Sequence, residues 1–295
     1  MKLRRSMMFV PGNNPGMLQN AGIYGADTVI FDLEDSVAIT EKDSARELVF
    51  QAISNIHYPS EVAIRINHIR TPFGRLDLEK VLAAKPDLIR LPMTESALEI
   101  QTVDSIITAA ENRYGFAPGS IQMMAAVETA KGLLKAYEIA SASPRMVALA
   151  IGGEDFVADL HTSRSKHGRE LFVARSEILL AARAAGINAI DTVFSDVNDP
   201  EGFINEATAI KEMGFDGKSV VNPRQIQMVH DIFTPTAAEI SHAKKVLAAY
   251  EEALARKSGV ISLNGKMIDL PIVARAERTL AYADAVGAGA GRVES

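Results

Sequence analysis

The sequence predicts an α/β protein: a (β/α)8 barrel of the TIM type followed by a C-terminal extension of helix and hairpin. Three observations predict it. Eight short apolar runs alternate with stretches of helical spacing. The runs end near positions 12, 34, 67, 92, 128, 153, 194 and 222, so seven intervals cover 210 residues and average roughly 30, the length of a βα unit. No linker interrupts the alternation, which favours one closed barrel over an open doubly wound sheet or two separate domains. Residues 1–233 are expected to form the barrel and 234–295 the extension, a lid or a subunit-interface segment.

Taken in order, residues 6–10 form the first run and end in Pro11-Gly12-Asn13-Asn14-Pro15-Gly16. That loop reads equally as a plain turn or as a surface of amides and Asn side chains, Asn13 among them, facing a ligand. Residues 28–33 end in Glu34-Asp35-Ser36 before a helix carrying Ala45, Leu48, Val49 and Ile53. Residues 61–67 and 87–92 are the third and fourth strands, with a helix near 76–84 between them. Residues 94–118 read as helix, 121–127 as strand, and the segment AKGLLKAYEIA as helix. The sixth strand ends at Gly152-Gly153-Glu154-Asp155, and 156–171 form a polar connection. A helix over 172–185 stops at Gly186, a residue suited to the left-handed helix stop. Strands at 188–195 and 217–221 enclose a helix at 200–213. Beyond them, Thr234-Pro235 opens a helix reaching Gly259, an Asn264-Gly265 turn makes a small hairpin, and a last helix starts at Pro271. The tail from Ala285 is expected to be disordered.

Composition narrows the function. With 31 basic and 37 acidic residues and a net charge of −6, a general nucleic-acid binder is disfavoured, since polyanion affinity rests on clustered Lys and Arg. The absence of cysteine removes disulfides, thiolate metal sites and a Cys nucleophile. No stretch approaches the roughly 18 apolar residues of a membrane span, so a soluble cytoplasmic protein is expected. Neither G-x-G-x-x-G nor G-x-x-x-x-G-K-[ST] occurs.

Chemistry in a barrel collects at the C-terminal ends of the strands, where Glu34, Asp35, Glu128 and Asp155 all fall. Glu34 and Asp35 are counted with the catalytic candidates. Glu128 and Asp155 lie one βα unit apart and would stand side by side, a pair of hard oxygen ligands for magnesium. The plain alternative is a helix cap at Asp155 and an ion pair at Glu128. Arg65 interrupts an apolar strand whose Ile64 and Ile66 point the other way, so its guanidinium projects into the barrel mouth. There it serves to hold a carboxylate or oxyanion, to pair with Glu34 or Asp35, or both. Gly153, with Gly152, permits close backbone approach to a ligand or simply makes a turn. Arg164, Lys166 and Arg169 either meet phosphates or form a solvated loop, and His68, His161, His167 and His230 show no metal-ligand spacing.

The motifs RSMMFVPGNNPGML, VIFDLEDSV, AIRIN, LIRLP, AAVETAKGL, ALAIGGEDFVADL, GINAIDTVFSD, GKSVVNPRQI and NGKMID, in that order, resemble the HpcH/HpaI aldolase and citrate lyase superfamily over nearly the whole chain. Within it the likeness is to the citrate lyase beta subunits. The resemblance implies a trimeric (β/α)8 barrel, Mg2+ bound by Glu128 and Asp155, Arg65 on the keto-acid product, and the loop through Arg164 on the thioester carrier. It implies retro-Claisen cleavage of a citryl thioester, on an acyl-carrier protein or CoA, to oxaloacetate and an acetyl thioester. The implied setting is a homotrimer in a larger complex with acyl-carrier and CoA-transferase subunits. A C-terminal aspartate that handles the proton in related acyl-CoA lyases matches Asp269, whose plain alternative is a helix cap before Pro271. Other readings are a free-CoA (3S)-malyl-CoA or citramalyl-CoA lyase, a 2-keto acid aldolase, and a non-catalytic scaffold subunit. The aldolases use a histidine on an early loop, and no His precedes His57. A scaffold has no use for paired acids beside a buried arginine.

Overall fold

A computed structural model of the chain describes residues 2–255, 262–263 and 266–287. Eight strands, β1 Ser6–Pro11, β2 Thr28–Asp32, β3 Glu61–Arg65, β4 Leu88–Leu91, β5 Gln122–Val127, β6 Met146–Ile151, β7 Asn188–Asp191 and β8 Gly217–Val220, close into a barrel in sequence order. Every neighbouring pair is parallel, and β1 closes the ring onto β8. Closure removes the sheet edges, and the helices between the strands cover the outer face. Most strand positions are apolar because both faces of each strand are buried, and the charged exceptions lie at strand ends or point along the barrel axis.

Alternation along each strand sets the interior. Met7, Ile30, Ala63, Leu88, Met124, Ala126, Ala148, Ala150 and Ile190 form one inward cluster. Small Ala side chains on β5 and β6 face larger Met, Ile and Leu across the axis, as a narrow barrel requires. The N-terminal end is plugged by charge: Arg4, just before β1, grips Glu61 through Nε and Nη2, both at 2.8 Å, and donates to Asn188 and Gln122. Three of those partners open β3, β5 and β7, so one arginine ties together the first residues of alternate strands.

The outer helices are α1 Pro15–Asn20, α2 Lys42–Asn55, α3 Pro72–Val81, α4 Ala97–Tyr114, α5 Ala130–Leu133, α6 Ala136–Ala140, α7 Gly153–Asp159, α8 Phe172–Ala185, α9 Pro200–Met213 and α10 Arg224–Phe233. Local chemistry explains their ends. A capping box between Ser96 and Glu99 starts α4, and Gly186 at φ 73° ends α8 as expected. Three elements depart from the sequence expectation. AKGLLKAYEIA is two short helices, α5 and α6, rather than one. The polar connection after residue 155 begins as α7, and α10 follows β8 where no helix was expected.

The chain divides into two compact units: Arg4–His230, and the chain from Asp231 on with the N-terminal Lys2 and Leu3. In the second unit α11 Ala237–Ala255 and α12 Leu270–Ala285 pack around Ala243, Val246, Ile268, Val273 and Ala276. Strands β9 Ser262–Leu263 and β10 Lys266–Met267 pair antiparallel. The expected Asn264-Gly265 turn, residues 256–259 of the expected helix and the tail from 288 lie outside the described residues. No helix among the described residues is long and apolar enough to cross a membrane.

Candidate active site at the C-terminal rim of the barrel

One strand period beyond the apolar layer, the inward positions turn polar. Ile30, Ala63, Leu88 and Ala126 face the axis, so Asp32, Arg65, Arg90 and Glu128, each two residues on, face it as well. Asp32 is the register partner of Arg65, and Arg65 of Arg90. These four residues line a cavity of about 350 Å³ together with Phe9, Asp35, Gly152, Gly153, Asp155, Thr192 and others. Such concave, largely apolar pockets with a few convergent polar groups are where small molecules bind.

Arg65 forks onto Asp32, Nε to Oδ1 at 2.7 Å and Nη2 to Oδ2 at 2.8 Å, while its Nη1 approaches Glu34 at 2.9 Å and Asp35 at 3.3 Å. Burial alone would raise Asp32, but the hydrogen bonds and charge of Arg65 outweigh it and hold the carboxyl below its ordinary value. Arg90 stands beside this pair with its guanidinium 5.0 Å from the centre of the Phe9 ring, which Arg65 approaches at 4.8 Å. Burial and the neighbouring Arg65 lower Arg90 to about 10, so it stays charged at neutral pH.

Glu128 is 3% exposed and accepts a 2.8 Å hydrogen bond from the Met93 backbone N–H. Met93 holds the left-handed φ of 45°, an uncommon conformation for a residue with a side chain, and it flanks the acid directly. Asp155 sits in the first turn of α7, after β6, and β6 is paired with β5, which precedes Glu128. Gly152 stands between them: a Cβ there would fall onto the Glu128 carboxylate. Burial pushes Glu128 up to about 7, offset in part by Arg90 and the Met93 N–H and reinforced by Asp155. Burial, then repulsion from Asp35, raises Asp155. Burial likewise pushes Glu34 up to about 8, against Arg65 and with the help of Asp35, Glu128 and Asp32.

Acids shifted upward in this way lack enough positive charge around them, and a divalent cation between Glu128 and Asp155 would supply it. The donors are all carboxylate oxygens, which suits magnesium, an ion that takes one or two carboxylates and keeps waters in its remaining positions. Among the described residues no group of three or more His, Cys, Asp or Glu makes a full protein cage. The residues present therefore fit an open, two-carboxylate site.

The structure gathers Arg65, Asp35, Glu128, Gly153 and Asp155 of the sequence candidates into this cavity. Glu34 does not line the cavity; its buried Oε2 is ion-paired with Arg65 Nη1 at 2.9 Å. Gly153 donates its N–H to Thr192 Oγ1 at 2.8 Å. Arg164 is close by, but its guanidinium is held by Glu206 at 2.8 Å and Glu154 at 3.2 Å. Asn13 is paired with Glu41 at 2.7 Å and does not line the cavity. Asp269 belongs to the second unit, where it caps α12 by accepting from the Ile272 N–H at 3.2 Å. His68 pairs with Glu99, and His230 bonds Ser6. Two inward residues went unmarked in the sequence, Asp32 and Arg90. The available signal was the one that marked Arg65, a charge at an inward position of an apolar strand.

Residues 5–223 match the HpcH/HpaI aldolase/citrate lyase family. The chain is 51% identical over 285 residues to the citrate lyase subunit beta of Leuconostoc mesenteroides subsp. cremoris, covering 96% of this chain and 94% of that one. It is 35% identical over 286 residues to a (3S)-malyl-CoA thioesterase of Cereibacter sphaeroides, covering 96% of each. Among solved structures, the CitE protein of Mycobacterium tuberculosis in complex with magnesium, acetoacetate and coenzyme A superimposes with a TM-score of 0.78 at 33% identity, covering 96% of this chain and 98% of that one. A citrate lyase beta subunit from the same organism, complexed with oxaloacetate and magnesium, gives 0.68 at 34% identity, covering 80% of this chain and 100% of that one. With its closed barrel, its rim of inward acids and arginines, and this similarity along nearly its whole length, the chain belongs to the HpcH/HpaI aldolase/citrate lyase family.

Proposed function

We propose that the chain is a magnesium-dependent carbon–carbon lyase that cleaves a citryl thioester, carried on an acyl-carrier protein or on CoA, into oxaloacetate and an acetyl thioester. The observation that carries this reading is the inward layer in which Glu128 and Asp155 share one cavity with two guanidiniums. Retro-Claisen cleavage needs an alkoxide and carboxylates neutralised together in a water-poor place. Support comes from the relatives named citrate lyase subunit beta at 46–51% identity.

In this reaction the carbinol O–H loses its proton and the bond from the carbinol carbon to the thioester methylene breaks. The electron pair becomes the thioester enolate, which then takes up a proton. Glu128 and Asp155 would hold the magnesium, which when bound would supply Lewis-acid stabilisation to the oxygen that becomes the keto group. Arg65, fixed by its fork on Asp32, keeps a positive charge beside that oxygen without having to reorganise. Glu34 and Asp35 hold the Nη1 side of the same guanidinium and stand as candidate proton carriers. Asp269 is the candidate that returns the proton to the enolate, in its own subunit or across a homotrimer. Gly153, which lines the cavity, borders the acyl group, and Arg164 beside it faces the carrier. The wider setting is a cytoplasmic complex with acyl-carrier and CoA-transferase subunits.

The test is to incubate purified protein with magnesium and (3S)-citryl-CoA and follow oxaloacetate through coupled malate dehydrogenase. Oxaloacetate formation supports the reading. No oxaloacetate from citryl-CoA together with glyoxylate from (3S)-malyl-CoA, or free thiol release without carbon–carbon cleavage, overturns it.

A further inference from the structure

Six arginines are buried among the described residues: Arg4, Arg46, Arg65, Arg90, Arg145 and Arg175. Five of them hold carboxylates of the chain at 2.8 Å or less: Glu61, Asp77, Asp32, Glu111 and Asp191 respectively for Arg4, Arg46, Arg65, Arg145 and Arg175. Arg90 is the exception. It is 3% exposed, yet no carboxylate of the described residues lies within ion-pairing distance; its Nη1 meets the Met124 sulfur at 3.7 Å and its Nε has no hydrogen bond. Strand register explains the difference. Arg65 is flanked by Asp32 on β2, whereas Arg90 is flanked by Arg65 on one side and Met124 on the other.

A buried guanidinium without a partner is costly to stability, so a fold keeps one where an anion arrives from outside. Arg65 and Arg90 are the two cations among the cavity-lining residues, and the donors of Arg65 are already engaged by Asp32, Glu34 and Asp35. This narrows the chemistry of the occupant. A malyl group carries one carboxylate, on its carbinol carbon beside the hydroxyl. A citryl group carries in addition a –CH2–COO− arm, which survives as the distal carboxylate of oxaloacetate. The arm brings a second negative charge into a cavity already rich in acids, and only an unengaged cation accommodates it.

We propose that Arg90 is the specificity-determining residue that receives this distal carboxylate, and so selects citryl over malyl thioesters and a dicarboxylic over a monocarboxylic keto acid. The inference rests on the proposed function and names the recognition element within it. The planar fork of arginine suits a carboxylate, and the Phe9 face beneath it limits the orientations it takes.

The experiment compares oxaloacetate with pyruvate, the same keto acid without the distal carboxylate, by titration calorimetry in the presence of magnesium. Wild-type protein is expected to favour oxaloacetate on the order of 100-fold, the effect of removing one partner from a buried charge pair. Arg90→Met is expected to abolish that preference while changing pyruvate affinity less than about 3-fold, and Arg90→Lys, a point charge without the fork, to restore part of it. The melting temperature of Arg90→Met should not fall, because the removed charge had no partner. A lowered melting temperature with equal weakening of both ligands would show a structural arginine and overturn the proposal. So would an unchanged preference in Arg90→Met, or none in the wild type. If the wild type forms no oxaloacetate from citryl-CoA but Arg90→Met still loses the preference, the catalytic reading fails while the assignment of Arg90 stands.

Discussion

Gly152→Ala tests the candidate metal pair without touching either acid. The backbone at Gly152 has φ −99° and ψ 94°, a conformation open to any L residue, so alanine brings no backbone strain. Its cost is steric: the new Cβ overlaps Oε1, Cγ and Cδ of Glu128. Glu128 is buried and anchored by the Met93 N–H at 2.8 Å, so it moves only by giving up that bond or pressing on its neighbours. Overpacking of this kind costs about 1–3 kcal/mol. Displacing a ligand by the better part of an ångström lowers turnover on the order of 100-fold, and more magnesium is needed for half-maximal activity. The assay is citryl-CoA cleavage against magnesium concentration, with thermal unfolding run alongside. Gly25→Ala is the control. Gly25 has φ 72° and nothing within 4 Å of a built Cβ, so alanine there costs about 1 kcal/mol of strain and leaves magnesium activation unchanged. A Gly152→Ala protein with wild-type kcat/KM and magnesium dependence would refute the placement of Glu128 as a ligand.

Glu128→Ala and Asp155→Ala should each abolish magnesium-dependent turnover in the coupled assay while the far-ultraviolet spectrum is retained. Asp269→Asn keeps an acceptor for the Ile272 N–H and so preserves the cap, but removes the titrating carboxyl; kcat is expected to fall roughly 10²- to 10⁴-fold with little change in melting temperature. Lys218→Met breaks a fully buried contact to Asp191 at 2.7 Å and Glu206 at 2.6 Å, and should destabilise the protein by about 3–5 kcal/mol in urea unfolding. Glu111 is lowered from 4.5 to about 2: burial opposes ionisation, but Arg145 and the N–H groups of Ile121 and Gly119 outweigh it. Because its folded value is the lower one, its contribution, up to about 3 kcal/mol, is complete above pH 4.5 and is lost as the pH falls toward 2. Glu111→Gln should flatten that part of the stability curve.

Most expected strand ends overshoot the observed ones by one to four residues, as at Leu33 against Asp32, Asn67 against Arg65 and Ser195 against Asp191, whereas the first falls one residue short of Pro11 and the fifth coincides with Val127. An apolar pattern reports burial, whereas a strand ends where its ladder of hydrogen bonds ends, and that depends on the neighbouring strand. The helix α10 was legible but unread: Asn222-Pro223 marks a turn after the last strand, and Ile226, Val229 and Phe233 then recur at helical spacing.

What the sequence by itself determined is the count and order of the βα units, the presence of Glu128 and Asp155 at adjacent strand ends, and the inward direction of Arg65. These follow from periods of two and 3.6 residues, which are local properties of the chain. Only the tertiary structure decided which charges meet. Arg65 and Arg90 carry the same sequence signal, a guanidinium in an apolar strand, but parallel register sets Asp32 beside one and Met124 beside the other. Whether a buried charge is neutralised by its own chain depends on its cross-strand neighbour, tens of residues away in sequence, and that distinction separates the arginine that builds the site from the one left to receive a ligand.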